Sequence, residues 1–382
     1  MSTPTATRLR AGAASVTVRS TTSAFVTSWA LRYFGPWWKA AAMPVDEVLA
    51  GPLVTANVDG QAYDDLAAHV TAGPHDKVTY AKAQLLLVRD STGTGTGTIT
   101  AVSPAEHLAY RSEPFAGHLA VYGRAPEPVA LAAARLAREM IRAALLRDGW
   151  TLLHASAVAR DGRVVLSFGS KGAGKTTTAL LLASRGHQLL ANDRVFVKPV
   201  GDDLRVLPWP AAAAVGLGLL DALGLYDVVR ERLRAGEQLH PTQHPEVTAA
   251  LLAGRRDPLW EPDGRRERKV QVFPDQFPGW FGMELATEGR VGALLFPRVD
   301  AAAVPALVEG GRTLGEADFM SGSTEDRYPD VFGLAQGIDP AGGVLARTTV
   351  AEHLAVLPHR QVALGHDSAA NAAFLANVAD DL

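Results

Sequence analysis

The chain contains no cysteine among its 382 residues. This excludes disulfide bonds and thiolate metal ligands, and it fits a reducing compartment such as the cytoplasm. Neither sign of charge dominates, since 37 lysines and arginines stand against 40 aspartates and glutamates, for a formal net charge of −3. Such a chain lacks the positive surplus that attracts nucleic acid or an anionic membrane, so we expect neither partner.

Long apolar runs are also missing. The uncharged stretch at residues 207–220 is too short to span a bilayer, and it is interrupted by Pro208, Pro210, Gly216 and Gly218. Residues 1–8 are polar and do not open the apolar core of a signal peptide. We therefore expect a cytoplasmic protein, with enough length for two domains that each bury a core.

A glycine-rich motif with the spacing of a phosphate-binding loop stands near the middle of the chain. It matches the pattern G-x-x-x-x-G-K-[ST] with the residues Gly169, Ser170, Lys171, Gly172, Ala173, Gly174, Lys175 and Thr176. The apolar residues 164–168 predict a buried strand before it, and residues 177–185 predict a helix that ends at Gly186. Because this strand–loop–helix order is the context in which the motif binds phosphate, we favour a nucleotide site over an ordinary glycine-rich turn.

Each part of the loop has a physical use in holding a nucleoside triphosphate. Glycines let successive backbone N–H groups turn inward, and the N-terminus of the following helix adds its positive dipole end at the same place. We expect Lys175 to contact the β- and γ-phosphates and Thr176 to offer its hydroxyl to Mg²⁺, while Thr177 completes the set of nucleotide-binding residues.

A second apolar strand follows about one helix downstream, in residues 186–195, and it ends at Asn192 and Asp193. A carboxylate at this strand end is the usual second contact to the metal of a nucleotide–Mg²⁺ complex. The order strand, loop, helix, strand predicts one βαβ unit. Asp193 is accordingly predicted to bind Mg²⁺ together with Thr176.

These segments resemble the HPr kinase/phosphorylase family. The resemblance rests on the loop and its helix, on RGH at 185–187, on ANDRV at 191–195, and on residues 153–158, which are similar to the family's histidine-bearing strand. It extends over residues 151–197, about an eighth of the chain. It implies an α/β fold with a P-loop nucleotide-binding domain of the HPr-kinase/PEP-carboxykinase-like type.

The same resemblance implies ATP and Mg²⁺ as cofactors, and as acceptor a hydroxyl on a protein, a peptide or a small molecule. It also implies an active-site role for His154; the alternative is a satisfied histidine of the core. In the family, that strand forms a hairpin into the P-loop strand, and the Asp161-Gly162 pair is a suitable turn.

Asn192 departs from the family pattern, which has two adjacent aspartates before Arg-Val, the first understood to take the proton of the acceptor hydroxyl. An amide cannot act as a base, although it can hydrogen-bond a hydroxyl or a metal-bound water. Asp193 must then serve Mg²⁺, the acceptor proton or both. Two functions therefore stay open. The first is a kinase, because phosphoryl transfer depends mainly on positioning and charge neutralisation. The second is a regulator that binds a nucleotide or hydrolyses it slowly.

The domain organisation is predicted from composition and periodicity. Residues 1–125 predict a small mixed α+β domain, which we expect to contribute to acceptor recognition, and residues 126–382 predict the nucleotide-binding domain, opened by a helix that packs on its sheet. Downstream we expect helical structure at 217–233, a strand pair formed by 269–273 and 291–296, and a closing helix at 368–378. The Thr-Gly repeat at 91–98 predicts a hairpin turn.

Further expectations concern single residues and the basic segment. His187 is expected to be exposed after the helix that Gly186 ends. The basic residues between 255 and 269 alternate with acidic residues, and they form either a solvated loop or a mobile flap that clamps phosphate. Arg298 could point into the nucleotide-binding cleft. A homo-oligomer is possible. A nucleic-acid motor is disfavoured by the charge and by the absence of a second motor lobe.

Overall fold

The computed structural model describes residues 6–44, 51–90, 97–320, 329–335 and 337–382. Within it the chain divides into two compact units, Met1–Thr151 with Met320–Ala346, and Leu152–Phe319 with Arg347–Leu382. The fold is mixed α/β and contains two nine-stranded sheets. Most of the predicted turn at 91–98 lies outside the described residues.

The first unit is built on one twisted sheet with the strand order β3-β1-β2-β4-β9-β8-β7-β6-β5. Its strands are β1 (Ala6–Ala11), β2 (Ala14–Arg19), β3 (Ala41–Met43), β4 (Leu53–Val58), β5 (Asp76–Tyr80), β6 (Ala83–Asp90), β7 (Thr98–Ser103), β8 (Leu108–Glu113) and β9 (His118–Gly123). Its helices are α1 (Ala24–Phe34), α2 (Gly60–Thr71) and α3 (Pro126–Arg147). The pairs β2–β4 and β4–β9 are parallel and the others antiparallel.

The helix that we expected to open the nucleotide-binding domain, α3, packs elsewhere. It lies on α1, β4 and β2 of the first unit, and most of its residues are buried there. The prediction that it packs on the nucleotide-binding sheet was therefore wrong, because an alanine-rich apolar helix face does not reveal which sheet it covers. The chain passes from the first unit to the second after Thr151, rather than at the predicted boundary between 125 and 126, and the stretch Met320–Ala346 of the predicted second domain belongs to the first unit.

An aromatic cluster forms part of the core of the first unit. Phe34, Trp37 and Trp38 are almost fully buried, and the rings of Phe34 and Trp38 stack with centroids 5.1 Å apart. These side chains supply much of the apolar area that a sheet of short strands needs to be stable.

The second sheet has the strand order β10-β14-β15-β20-β12-β11-β13, with β22 and then β21 beside β20. The strands from residue 151 onward are β10 (Thr151–Leu153), β11 (Ser156–Arg160), β12 (Arg163–Ser167), β13 (Gln188–Ala191), β14 (Val195–Val200), β15 (Asp203–Pro208), β16 (Ala213–Val215), β17 (Leu259–Trp260), β18 (Glu267–Arg268), β19 (Val270–Val272), β20 (Gly289–Val299), β21 (Ala306–Val308) and β22 (His359–Leu364). The helices are α4 (Lys175–Ala183), α5 (Leu217–Ala222), α6 (Tyr226–Arg234), α7 (Pro245–Ala253), α8 (Gln276–Phe281), α9 (Val344–Ala355) and α10 (Ser368–Asp380).

The strand order of this sheet brings three chain segments to one edge. Strand β11 is antiparallel to both β12 and β13, so β12 and β13 run parallel with β11 between them. Ser156 at the start of β11 pairs with Ser167 at the end of β12, and Ala157 pairs with Ala191 at the end of β13. The residues just before β11 and just after β12 and β13 therefore lie together.

The predicted strand pair at 269–273 and 291–296 does not form. Strand β19 pairs with β16, whereas β20 pairs with β12, β15 and β22. The 11-residue β20 is buried along most of its length and belongs in the centre of the sheet, which its apolar sequence alone could not show. The closing helix is present as α10, and the predicted helix at 217–233 is divided into α5 and α6 near Gly224.

Within the ranges that the structure describes, no helix is long and apolar enough to cross a membrane.

Candidate active site

The candidate site begins at the tight hairpin between β11 and β12. Its two turn residues, Asp161 and Gly162, have positive φ values of 51° and 76°, as a two-residue turn of type I′ requires. The predicted hairpin is therefore confirmed. Because β11 runs antiparallel to β12, His154, which lies two residues before β11, is placed at the end of β12 where the glycine-rich loop starts.

The loop between β12 and α4 has a shape that depends on its glycines. Gly172 and Gly174 have φ values of 87° and 106°, in the region that favours glycine. A Cβ atom on Gly174 would lie 2.7 Å from Val299 Cγ2, and one on Gly169 would lie 2.6 Å from the Cβ of Ala173. A side chain at Gly169 or Gly174 would therefore clash with these atoms, and the loop could not keep its shape.

The N-terminus of α4 is left without a side-chain cap, because Gly174 occupies the N-cap position. The first N–H groups of a helix have no partner within the helix, and together with the helix dipole they favour a negative group. The Ser156 hydroxyl donates a hydrogen bond to the backbone oxygen of Lys175 (2.7 Å), which fixes the first turn of α4 against β11. This geometry fits a phosphate group.

Lys175 is buried inside the loop. Its Nζ donates hydrogen bonds to the backbone oxygens of Gly169 (2.7 Å) and Ser170 (3.3 Å). Only 8% of the residue is exposed, so its ammonium group is a fixed positive charge beneath the loop backbone. The side chains of Ser170 and Lys171 are exposed, whereas Thr176 and Thr177 are partly buried.

Asp193 forms the other half of the site, just beyond β13. Its Oδ1 lies 3.2 Å from His154 Nε2 and its Oδ2 lies 3.2 Å from Arg194 Nε. Partial burial raises the pKa of the Asp193 carboxyl, but the hydrogen bond from His154 and the positive charges of Arg194 and Lys175 outweigh it. The net pKa of Asp193 is lowered, so the carboxylate is ionised at neutral pH.

The loop helix and the acidic strand end are in direct contact. The Thr176 hydroxyl donates a hydrogen bond to the backbone oxygen of Asn192 (3.3 Å), and Asn192 is buried. The structure thus brings together Lys175, Thr176, Asn192, Asp193 and His154, the residues that the sequence singled out. Their roles in catalysis and metal binding stay predictions.

Two features of the site were not predicted from the sequence. The first is Arg194, which pairs with Oδ2 of Asp193 and lies over the ring of Trp209, 5.7 Å from its centroid.

The second is Asp318. Its backbone oxygen accepts a hydrogen bond from the backbone N–H of His154 (2.8 Å). Asp318 is buried, and its carboxylate accepts hydrogen bonds from Arg312 and from the backbone N–H of Gly315. The hydrogen bond between His154 and Asp318 could not be predicted, because the two residues are far apart in the sequence.

Two arginines of the basic segment between residues 255 and 269 form ion pairs with acidic side chains. Arg256 pairs with Asp221 and Asp227, and Arg268 pairs with Glu246 and Glu261. These two arginines are therefore held by acidic side chains on neighbouring segments. Arg298 is exposed near the end of β20.

The expectation that His187 is exposed was wrong. The residue is only 4% exposed, and burial, assisted by the charge of Arg160, lowers the pKa of its ring. The backbone N–H of His187 bonds to the oxygen of Leu182, which turns the ring back toward the protein after α4.

Metal binding by protein side chains alone finds no support in the described part of the chain, where no group of three or more histidine, aspartate or glutamate residues is arranged to hold a metal ion. Mg²⁺ bound with a nucleotide needs fewer protein ligands, because phosphate oxygens and waters complete its octahedron. The Thr176 hydroxyl and the Asp193 carboxylate are oxygen donors of the type that Mg²⁺ prefers, so the residues present fit such an ion.

Comparison with known proteins supports the family resemblance. The chain is 38% identical over 81 residues to an HPr kinase/phosphorylase from Peptoclostridium acidaminophilum, covering 20% of this chain and 26% of that protein. It is 28% identical over 126 residues to the one from Lachnoclostridium phytofermentans, covering 32% and 38%. The chain thus spans about a quarter to two fifths of the length of these relatives, and its resemblance to the HPr kinase/phosphorylase family is confirmed over that part.

A structural comparison with the HPr(Ser) kinase/phosphatase from Coxiella burnetii gives a TM-score of 0.22 at 16% identity, over 40% of this chain and 60% of that one. A superposition at this level does not establish a shared fold, so the fold rests on the strand order given above. No family model matches the chain.

Proposed function

We propose that this chain is a phosphotransferase that uses ATP and Mg²⁺ to phosphorylate a hydroxyl group, with an HPr-kinase-like nucleotide-binding domain in its second unit. The observation that carries the proposal is the juxtaposition of an uncapped helix N-terminus with an ionised carboxylate held by His154 and Arg194. A phosphate-binding loop facing a metal-binding carboxylate is the arrangement that phosphoryl transfer requires. The partial similarity to HPr kinase/phosphorylases supports the same reaction class.

In this proposal each residue acts through position and charge. Lys175 would neutralise negative charge on the terminal phosphates, and the loop N–H groups would orient them. Thr176 and Asp193 would hold Mg²⁺, which supplies charge neutralisation at the transferred group when bound. His154 and Arg194 would keep Asp193 ionised and fix its direction, and the neighbouring Asn192 would hydrogen-bond the acceptor or a bound water.

The test is direct. Binding of ATP–Mg²⁺ is measured by calorimetry, and incubation with labelled ATP and candidate acceptors then measures phosphate transfer and phosphate release separately. Serine-containing peptides and small hydroxylated molecules serve as acceptors. Binding with transfer supports the proposal, whereas absence of ATP binding contradicts it.

A second candidate is favoured by one observation, the amide at position 192 in place of a carboxylate. It is a nucleotide-binding regulator that hydrolyses ATP slowly and phosphorylates no acceptor. In the experiment above, this candidate predicts tight ATP binding and slow phosphate release, with no transfer to any acceptor.

A further inference from the structure

A short turn beside the candidate site is closed around a buried carboxylate. Asp318 is 3% exposed and ends the 3₁₀ helix Glu316–Asp318. Its Oδ1 accepts a hydrogen bond from Arg312 Nη2 (2.6 Å), and its Oδ2 accepts one from the backbone N–H of Gly315 (3.0 Å). Both carboxylate oxygens therefore have partners within residues 312–318, and the turn closes on itself.

The ion pair of Arg312 and Asp318 is unevenly buried. Arg312 is 34% exposed, whereas the Asp318 side chain is almost completely removed from solvent. Taking a charge out of water costs free energy that the attraction between the partners often only balances, and apolar residues of similar volume frequently give equal stability. A buried ion pair is therefore weak evidence of added stability, and its other attested effect is to fix one conformation of the chain.

The conformation of this turn sets the position of the His154 backbone. The backbone oxygen of Asp318 accepts a hydrogen bond from the His154 N–H (2.8 Å), and Phe319 forms an antiparallel bridge with Leu153. His154 lies between β10 and β11 and belongs to neither strand. Its backbone N–H is therefore held by the turn.

The ring of the same histidine contacts the acidic strand end. Nε2 of His154 lies 3.2 Å from Oδ1 of Asp193, and only 17% of the His154 side chain is exposed. This distance is at the upper end of the normal range for a hydrogen bond, so a movement of the His154 backbone would readily break the contact. The contacts thus form one path from the ion pair through His154 to Asp193.

Arg312 also connects the turn to aromatic side chains beside the glycine-rich loop. Its guanidinium lies over the ring of Phe296 on β20, with Cζ 5.1 Å from the centroid, where a cation is attracted by the ring. The rings of Phe296 and Phe168 have centroids 6.1 Å apart, and Phe168 directly precedes Gly169, the first residue of the loop. The ion pair is therefore anchored to the same part of the sheet that carries the loop.

We propose that Asp318 and Arg312 are positioning residues for phosphoryl transfer. Their ion pair fixes the turn whose backbone holds His154, and the His154 ring is thereby kept against Asp193. This inference rests on the proposed phosphotransfer function. Because the pair acts through His154, its loss should lower the rate of turnover and leave nucleotide binding unchanged.

The first test measures exchange of the His154 amide proton by NMR, in the full chain without nucleotide. Asp318→Asn removes the negative charge and leaves one acceptor oxygen for two donors. Protection of the His154 amide should fall by about tenfold or more, because the turn then opens more often. Unchanged protection overturns the proposal.

The second test is a double-mutant cycle with His154→Gln, in which turnover is followed as phosphate release from ATP–Mg²⁺. Asp318→Asn should lower kcat by about tenfold and leave KM within about twofold of wild type. In the His154→Gln background the same substitution should lower kcat by less than about twofold, because the residue that it positions is already gone. Equal losses in both backgrounds, or no loss in either, overturn the proposal.

A matched control separates positioning from a general loss of stability. Gln276→Ala removes another buried polar side chain of the same unit, which accepts a hydrogen bond from the Phe273 N–H (2.8 Å) and donates one to the Gln238 oxygen (2.9 Å). It should lower the melting temperature as Asp318→Asn does, because it also leaves backbone groups unpaired. Its kcat should stay within about twofold of wild type, and so should protection of the His154 amide. Equal losses of kcat in the two variants overturn the proposal.

A double variant guards against a folding defect in Asp318→Asn. Asp318→Asn combined with Arg312→Met removes both charges of the pair, so that no unpaired charge is left at the turn. Methionine keeps an apolar side chain beside Phe296. This variant should show the same loss of kcat and of His154 amide protection, and wild-type values of both overturn the proposal.

The measurements separate this inference from the proposed function. Amide exchange needs no nucleotide, and binding of ATP–Mg²⁺ to the wild type is measured by calorimetry. If ATP fails to bind, the proposed function fails, and amide exchange still shows whether Asp318 fixes His154. If ATP is bound and turned over, but Asp318→Asn matches wild type in exchange and kcat, positioning fails while the proposed function survives.

Discussion

Two strand-to-helix turns of this protein can be compared directly. In the first unit β4 leads into α2, and the helix is capped by Asp59, whose Oδ1 accepts a hydrogen bond from the backbone N–H of Ala62 (2.9 Å). In the second unit β12 leads into α4 through the glycine-rich loop, and the N-cap Gly174 has no side chain to offer. Both helices follow a strand of a large sheet, but only α2 has an N-cap side chain that accepts a hydrogen bond from its first turn.

The difference indicates why we propose a phosphate site at the N-terminus of α4 and none at α2. At α2 the protein supplies its own negative charge and satisfies an N–H group, so the turn is complete without a ligand. At α4 the N-cap is a glycine without a side chain, Lys175 adds a buried positive charge, and Asp193 is the carboxylate that we propose binds Mg²⁺. The predictions below test this contrast, beginning with the largest expected effect and ending with the smallest.

The largest effect is expected for Asp193→Asn. If this carboxylate holds Mg²⁺ or accepts the acceptor proton, turnover should fall by about 100-fold or more, because the charge is needed as the transition state develops. Binding of ATP without Mg²⁺ should hardly change. Initial rates at saturating ATP and calorimetry with and without Mg²⁺ provide the measurement.

The matched control is Asp202→Asn, which removes an exposed carboxylate at the turn between β14 and β15 of the same unit. It should behave as wild type. Wild-type turnover in Asp193→Asn, together with loss of turnover in a different carboxylate variant, would show that the metal-binding strand end lies elsewhere.

The next effect is expected for Lys175→Ala. A charge-assisted hydrogen bond is worth about 1.5–3 kcal/mol, so affinity for ATP–Mg²⁺ should fall by roughly 10- to 150-fold. Arg234→Ala, which removes an exposed positive charge from the last turn of α6 in the same unit, should change affinity little. Calorimetric titration measures both, and equal affinities in the two variants would mean that the loop is not the nucleotide site.

Asp59→Ala tests the capped helix of the comparison, because it removes the side chain that caps α2. It should lower the free energy of unfolding by about 1 kcal/mol without creating a second ATP site, since Asp59 alone connects β4 to α2 and no glycine-rich loop lies between them. Urea unfolding and the calorimetric stoichiometry of ATP provide the measurement.

Much of the site could be predicted because its parts are local in sequence. The strand, loop, helix and second strand between residues 163 and 191 follow from hydrophobic periodicity and from the glycine spacing. The hairpin turn at Asp161 and Gly162 follows from the positive φ that such a pair allows. An active-site role for His154 was implied only by the family resemblance, and its contact with Asp193 was not predicted.

The remainder could not be predicted because it depends on distant pairing. An alanine-rich helix such as α3 is apolar wherever it packs, so its sequence did not distinguish the two sheets. The buried strand β20 pairs with three different strands, and its own sequence does not specify which strands these are. The contact from Asp318 to His154 joins segments that approach each other only after the sheet has formed.

A smaller effect of either sign is expected for Asn192→Asp. If Asn192 occupies the place of the base in a working kinase, the new carboxylate should raise transfer or hydrolysis by about 10- to 100-fold. If the amide instead donates a hydrogen bond to the acceptor, the same substitution adds a repulsive charge near the phosphates and lowers the rate. Initial rates with and without acceptor give the sign, and an unchanged rate in every condition would place Asn192 outside the reacting centre.

The smallest effect concerns stability and pH at Asp193. The lowered pKa means that the folded carboxylate releases its proton more readily than the unfolded one, so its contribution to stability is present above the ordinary pKa of about 4 and is lost as pH falls through the folded pKa. Asp193 is 43% exposed, and solvent screening limits this contribution to under about 1 kcal/mol. Urea unfolding of wild type and Asp193→Asn at several pH values should show a stability difference near neutral pH that narrows below pH ~4, and that also narrows in 1 M salt, where the Debye length is about 3 Å. A difference that grows on acidification would mean that His154 and Arg194 do not hold the carboxylate in its ionised form.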